Sequence, residues 1–421
     1  MGMTTIKQQF GLAAGVLLGT TTLAESINIL VEGGGLQLQK SVAEQFTAET
    51  GIEVNFTEVP YAGVFERLTA EIASGRSTYD IATIDVVWNA QFAPYAESLN
   101  ELFTNEVIAD FPQALLDDAK VDGDYIAMPA WANAEVLFYR KDLFNDPQEQ
   151  DAFKAEYGYD LVPPTNWQEF NDVARFFTRD TDGDGQIDFY GTDVKGAFAE
   201  EWMAHVLQAG SPGIVLDSNN RVIIDNDAHV EALEFYTDLY CNDRAAPSGA
   251  VGIGWAEAQN LFYQGKTAMM RFWAHAYRLT PEDSLVEGKV GVAPMIAGSA
   301  GIAGVPGPWY NIIPQTAQNK DLAKQFIAYA VEYNYMGIEA PLGLAATNSA
   351  YARYADQEGY EHFEPLLTTL SADATQGRPL HRDYQEIVDE AVLPALQEAL
   401  ACERSPRDIL TDARDVVEDI L

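Results

Sequence analysis

The sequence is short of cysteine, histidine, basic residues and long apolar runs, and each shortage removes a class of function. Two cysteines, Cys241 and Cys402, are too few for a disulfide scaffold or a cysteine-rich zinc site. In an oxidising compartment they could pair, but nothing in the sequence brings them together, and free or buried thiols are the expectation. The five histidines (205, 229, 275, 362 and 381) show no metal-ligand grouping. No His-Glu-x-x-His, no Gly-x-Ser-x-Gly and no phosphate loop occurs; Gly298, Gly301 and Gly304 lack the Gly-Lys-Ser/Thr that such a loop needs. Lysine and arginine total 25 against 64 acidic residues, a formal net charge of −39. Such a surface repels phosphate backbones and anionic lipids, which argues against nucleic acid and membrane-surface partners. Beyond the N-terminus no stretch is long and apolar enough to span a bilayer.

The first residues carry the order of an export signal: Lys7, then an apolar run at 10–18 (FGLAAGVLL), then Thr22, Leu23 and Ala24. Cleavage after Ala24 would leave a mature periplasmic chain beginning at Glu25. The remainder is longer than one core serves, so two or three lobes are expected. With 47% hydrophobic and 11% aromatic residues, the chain can fill those cores.

Alternating Ile27, Ile29 and Val31 read as a strand, followed by Gly33, Gly34 and Gly35 and a helix with Leu38, Val42 and Phe46 on one face. Gly51 closes that helix; Ile52, Val54 and Phe56 alternate as a second strand; a helix from about 64 to 74 leads to a third, ending at Asp85. This rhythm implies a mostly parallel sheet covered by helices, with ligands at the carboxyl ends of strands. The glycine triplet and Asp85 both fall there; the bland reading of the triplet is a turn that needs positive φ. A Thr165-x-x-Gln168 capping box opens a helix toward Phe177. Further helices are expected at 228–240, 255–263 and 320–332, with an amphipathic pair over 384–421.

An ordered set of signatures along nearly the whole mature chain resembles the extracellular solute-binding proteins of ABC importers, the family that includes maltose- and trehalose-binding proteins. It comprises 68–75 (LTAEIASG), Tyr79-Asp80-Ile81, Trp88, Phe92-Ala93, 125–129 (YIAMP), 136–144 (VLFYRKDLF), 163–170 (PPTNWQEF), 262–269 (FYQGKTAM), Trp273, 290–294 (VGVAP) and 341–343 (PLG). The resemblance implies a two-lobed α/β clamshell, each lobe a mostly parallel sheet flanked by helices, with several hinge crossings. It places the first lobe at 25–131 and 293–346, and the second at 132–292 and 347–421. It also implies a soluble monomer that catches a sugar or polyol between the lobes and delivers it to membrane permease subunits.

A sugar presents apolar C–H faces and a rim of hydroxyls, so its site needs aromatics to stack on and polar groups to bond the rim. The resemblance carries Asp85, Trp131, Asn133, Trp273, Trp309 and Arg378 into that role. Glu32 and Tyr61 join them because they follow strands of the first lobe. Asp85 could instead cap a helix and Arg378 pair on the surface; Trp167 and Trp255, which open helices, read as packing residues. Asp180, Asp182, Asp184, Gln186 and Asp188 occupy alternate positions of a calcium-type loop whose sixth residue is Gly185, while the twelfth, Gly191, offers no carboxylate. Structural calcium and a metal-free turn are the two readings of this loop. No catalysis is expected. Acidic residues are so abundant that a glycosidase pair could always be drawn, so their presence decides nothing. A receptor feeding a membrane sensor would need the same binding chemistry.

Overall fold

The computed structural model describes residues 25–421, and the expected export signal lies outside the described residues. The first lobe is built on β1 (Ser26–Glu32), α1 (Gly33–Thr50), β2 (Glu53–Val59), α2 (Tyr61–Ser74), β3 (Ile81–Asp85) and β4 (Met128–Trp131). β1 runs parallel to both β2 and β3, and its Ile27, Ile29, Leu30 and Val31 are all fully buried. Helices cover both faces of such a strand, which is why its apolar run is nearly continuous.

The glycine triplet is not a turn but the first turn of α1. Glu32 caps it, its Oε2 accepting from Gly34 N at 2.9 Å and Gly35 N at 3.3 Å. Gly35 is required for packing rather than for its φ: a Cβ there would lie 2.3 Å from the ring of Trp131.

The second lobe is built on β5 (Glu135–Arg140), α3 (Trp167–Phe177), α4 (Glu200–Gln208), α5 (Asp227–Cys241), β6 (Met269–Trp273) and β7 (Val290–Ala293). β5 lies between β6 and β7 and pairs antiparallel with both. The mostly parallel sheet expected here is therefore corrected for this lobe. β6 returns after a long helical excursion and β7 after residues 274–289 alone, to opposite edges of β5, so chain rhythm does not reveal their direction. α3 is also capped one residue later than expected. Asn166 Oδ1 accepts from Glu169 N at 3.0 Å, and Glu169 Oε2 accepts from Thr165 N at 2.8 Å.

β8 (Trp309–Ile312) then returns to the first lobe and inserts between β3 and β4, giving the order β2-β1-β3-β8-β4. Residues 297–304 still belong to the second lobe. Ala297 N donates to Thr165 O at 2.8 Å, Ala300 N to Gln208 O at 2.8 Å, and Gly304 N to Thr375 Oγ1 at 3.1 Å. The change of lobe expected at 293 thus falls near 305. The crossings are tied together: Gly307 N donates to Asn133 O, and Ala132 N to Ala345 O, each at 2.8 Å.

After α6 (Lys320–Glu332), the chain re-enters the second lobe through α7 (Phe363–Leu370) and ends on α8 (Leu393–Ala399) and α9 (Pro406–Ile420). Cys241, the last residue of α5, is bonded to Cys402 just beyond α8, and among the described residues no cysteine is free. The expectation of free or buried thiols is corrected: packing of the C-terminal helices on α5 brings together residues 161 positions apart. Closing a loop of that length restricts the unfolded chain, so replacing both cysteines by serine is expected to cost about 2–4 kcal/mol. Melts of the parent and the double variant check this, and coincident curves would count against it.

Candidate functional site

The first wall of the site comes from strand register. Trp309 in β8 pairs with Asp85 on one side and with Trp131 on the other. Three side chains far apart in sequence thus meet at the ends of three neighbouring strands. The indoles of Trp131 and Trp309 stack at 5.5 Å with planes 18° apart. Trp131 is only 4% exposed and rests on the space left by Gly35, so it backs Trp309 more than it faces solvent. Tyr61 and Trp88 meet Trp309 edge-on at 5.9 and 6.1 Å.

Asp85 does two things at once. Its Oδ1 accepts from Val87 N at 3.1 Å, capping a short turn, and faces Arg378 Nη2 at 3.3 Å. Its Oδ2 accepts from the Tyr61 hydroxyl at 3.3 Å. Arg378 belongs to the segment beyond α7, so this ion pair joins the two lobes. Burial works against the charge of Arg378, but Asp85 and Glu200 hold its pKa above the ordinary arginine value. Burial and then Asp85 raise that of Tyr61.

The second wall is Trp273 at the end of β6, in register with Glu135. The Trp255 ring supports it at 5.4 Å, and Phe198 lies 5.6 Å beyond Trp255. A Cβ at Gly307 would come within 3.0 Å of Trp273, so the segment joining the lobes passes tightly against the indole there. Trp167, by contrast, stacks on Phe235 at 4.3 Å, and its Nε1 donates to Gln208 Oε1 at 2.7 Å. It packs within the second lobe.

Between these walls lies a cavity of about 240 Å³. Of the eight residues expected to hold a ligand, Asp85, Trp131, Asn133, Trp273, Trp309 and Arg378 line it. Tyr61 adjoins through Asp85. Glu32 is not part of this lining; its Oε2 accepts from the N-terminus of α1. His275, Leu342 and Leu344 also line the cavity and were not anticipated. His275 follows Trp273 by two residues at the same strand end, and Leu342 sits in the 341–343 signature, so both had a readable signal. A larger cleft of about 590 Å³ separates Phe111 and Asp117 from Leu370 and Gln376, but it carries no tryptophan. Chemistry, not volume, singles out the smaller one.

Behind Trp255 and Trp273 the second lobe buries a charge cluster with no exposed side-chain surface. Lys195 Nζ lies 2.5 Å from Asp193 Oδ2 and 2.6 Å from Glu201 Oε2, and Arg271 Nε lies 2.5 Å from Glu201 Oε1. Both carboxylate oxygens of Glu135 lack a hydrogen-bond partner. Burial first, and then Glu201, push its pKa well above the ordinary carboxylate value. Lys195 and Arg271 are the cations paired with Asp193 and Glu201.

The loop at 180–188 fits a hard cation only in part. Carboxylate oxygens of Asp180, Asp182 and Asp184 lie within 4.8 Å of one another. Asp180 also accepts from Gly183 N and Gly185 N, each at 2.7 Å, and Gln186 N donates to Asp184. Asp188 turns instead to Thr181, accepting from its backbone at 2.8 Å. No carboxylate can stand at the twelfth position, since a Cβ on Gly191 would lie 1.9 Å from Ala174 O.

A family model described as bacterial extracellular solute-binding protein matches residues 31–333. A probable ABC transporter-binding protein of Deinococcus radiodurans is 28% identical over 70% of this chain and 69% of its own. A mannitol-binding protein of Pseudomonas aeruginosa is 24% identical over 71% of this chain and 63% of its own. Among solved structures, maltose-bound MalE3 of T. maritima superposes with a TM-score of 0.75 at 25% identity, over 94% of this chain and 100% of that one. Among the described residues, no helix is long and apolar enough to cross a membrane.

Proposed function

The chain belongs to the bacterial extracellular solute-binding proteins, and from that premise we propose that it binds a sugar or polyol between its lobes and hands it to the permease of an ABC importer. The observation that carries this reading is that Trp273 of one lobe and Trp309 of the other line one cavity, together with the paired Asp85 and Arg378. Flat apolar platforms and hydrogen-bonding rim groups are what a polyhydroxylated carbon skeleton requires. The relatives named for mannitol and maltose point to the same ligand class. The export signal read at 1–24 suits a protein that works outside the inner membrane.

Binding acts through closure. A ligand that touches both walls favours the closed arrangement by its differential affinity, and the permease reads the closed surface. The Asp85–Arg378 pair already spans the lobes, so ligand hydroxyls insert beside an existing bridge. No bond in the ligand is made or broken.

A thermal-shift screen against sugars and polyols tests the reading. A true ligand at a hundred times its dissociation constant is expected to add about 2.7 kcal/mol of stability, and to be recovered unchanged. A panel without a stabilising compound, or a ligand recovered in altered form, would sink it.

A further inference from the structure

Asn133 and His275 line the same cavity, and their hydrogen bonds settle which of them can serve a ligand. Ala134 N donates to Asn133 Oδ1 at 3.1 Å. A backbone N–H can only donate, so this contact fixes the amide with its oxygen toward Ala134 and its nitrogen toward His275. Asn133 Nδ2 lies 2.7 Å from His275 Nδ1. An amide nitrogen carries no acceptor lone pair, so Nδ1 must be the acceptor and must be unprotonated.

We propose that Asn133 fixes His275 as the Nε2–H tautomer, making His275 a hydrogen-bond donor to an acceptor oxygen of the ligand and Asn133 its positioning residue. Among the described residues Nε2 makes no hydrogen bond, yet it is not among the buried atoms left without a partner, so it keeps accessible surface beside the cavity. Burial pushes the ring's pKa down to about 4, which keeps the imidazole neutral at neutral pH. A fixed single donor selects for ligand positions that present an ether, carbonyl or hydroxyl oxygen with a free lone pair. The other neutral tautomer, with its proton on Nδ1, would present Nε2 as an acceptor and select a ligand hydroxyl as donor instead.

The inference rests on the proposed binding role, and its experiment separates the two. Nitrogen-15 spectra of the imidazoles in the ligand-free protein read the tautomer directly. The expected pattern for His275 is a pyridine-like Nδ1 and a pyrrole-like Nε2, and in Asn133→Asp the proton is expected on Nδ1. A pyrrole-like Nδ1 in the parent would overturn the assignment, whatever the protein binds. Titrations with maltose, ribitol and D-mannitol supply the second arm. Asn and Gln keep opposite ends of the imidazole: His275→Asn retains the group that meets Asn133, whereas His275→Gln retains the donor that reaches the cavity. Loss of one hydrogen bond is roughly tenfold in affinity, expected for His275→Asn, with His275→Gln recovering to within a few-fold of the parent. Parental affinity in His275→Asn would remove the donor role. If none of the three probes binds the parent, the proposed function is at fault, while the spectra still decide the tautomer.

Discussion

Trp273→Ala is expected to bind its sugar or polyol close to a hundredfold more weakly while the protein stays folded. Stacking that buries roughly 100 Å² of ring, about half of what an aromatic side chain offers, is worth about 2.5 kcal/mol at about 25 cal/mol per Å². The indole sits at the end of β6 against the cavity, supported from behind by Trp255, so its removal opens the cavity instead of hollowing a core. Trp167→Ala is the opposite case. That ring is stacked on Phe235 and hydrogen-bonded to Gln208, so its loss is expected to cost about 3 kcal/mol of stability with little change in affinity. Calorimetric titration and denaturant melts of the two variants give the comparison. A Trp273→Ala protein that binds like the parent, or does not fold, would move the site elsewhere.

Lys195→Met is expected to be the most destabilising single change in the second lobe. The ammonium is fully buried and bonds Asp193, Glu201 and the carbonyl of Arg271 at 2.7 Å. Its removal leaves two buried carboxylates with only Arg271 to balance them. Breaking a buried ion cluster in this way costs about 3–5 kcal/mol, because the surviving charge stays desolvated. Affinity should change far less than in Trp273→Ala, since the ammonium stands behind Trp255, whose ring lies 5.4 Å from Lys195 Nζ, and does not line the cavity. An unchanged melt would show that the ammonium is not what balances the two carboxylates.

Local pattern carried much of this architecture. The alternation of Ile27, Ile29 and Val31 and the spacing of Leu38, Val42 and Phe46 were enough for β1 and α1, because side chains return to one face every two residues in a strand and every three or four in a helix. The site was legible only as an ordered series of motifs. Nothing in the neighbourhood of Asp85 says that Trp309 will lie beside it, since their pairing is set by β8 joining a sheet begun early in the chain. The antiparallel setting of β6 and β7, the Cys241–Cys402 bond and the late change of lobe are long-range in the same way. Glu32 lies outside the cavity lining for a local reason: a carboxylate following a strand and preceding glycines is as well placed to cap a helix as to meet a ligand, and here α1 begins at once.

The position of β8 also bears on how the protein can be made. Until residue 312 is available, β3 and β4 have no strand between them, and each offers an open row of backbone donors and acceptors. The whole second-lobe sheet, β5 to β7, is synthesised before that gap can close. A chain threaded through a pore N-terminus first would therefore arrive with its leading lobe unable to finish, and would rely on being kept from premature pairing. The two lobes are in this sense one folding unit. A fragment ending before β8 is expected to aggregate through those exposed strand edges instead of behaving as half a binding protein.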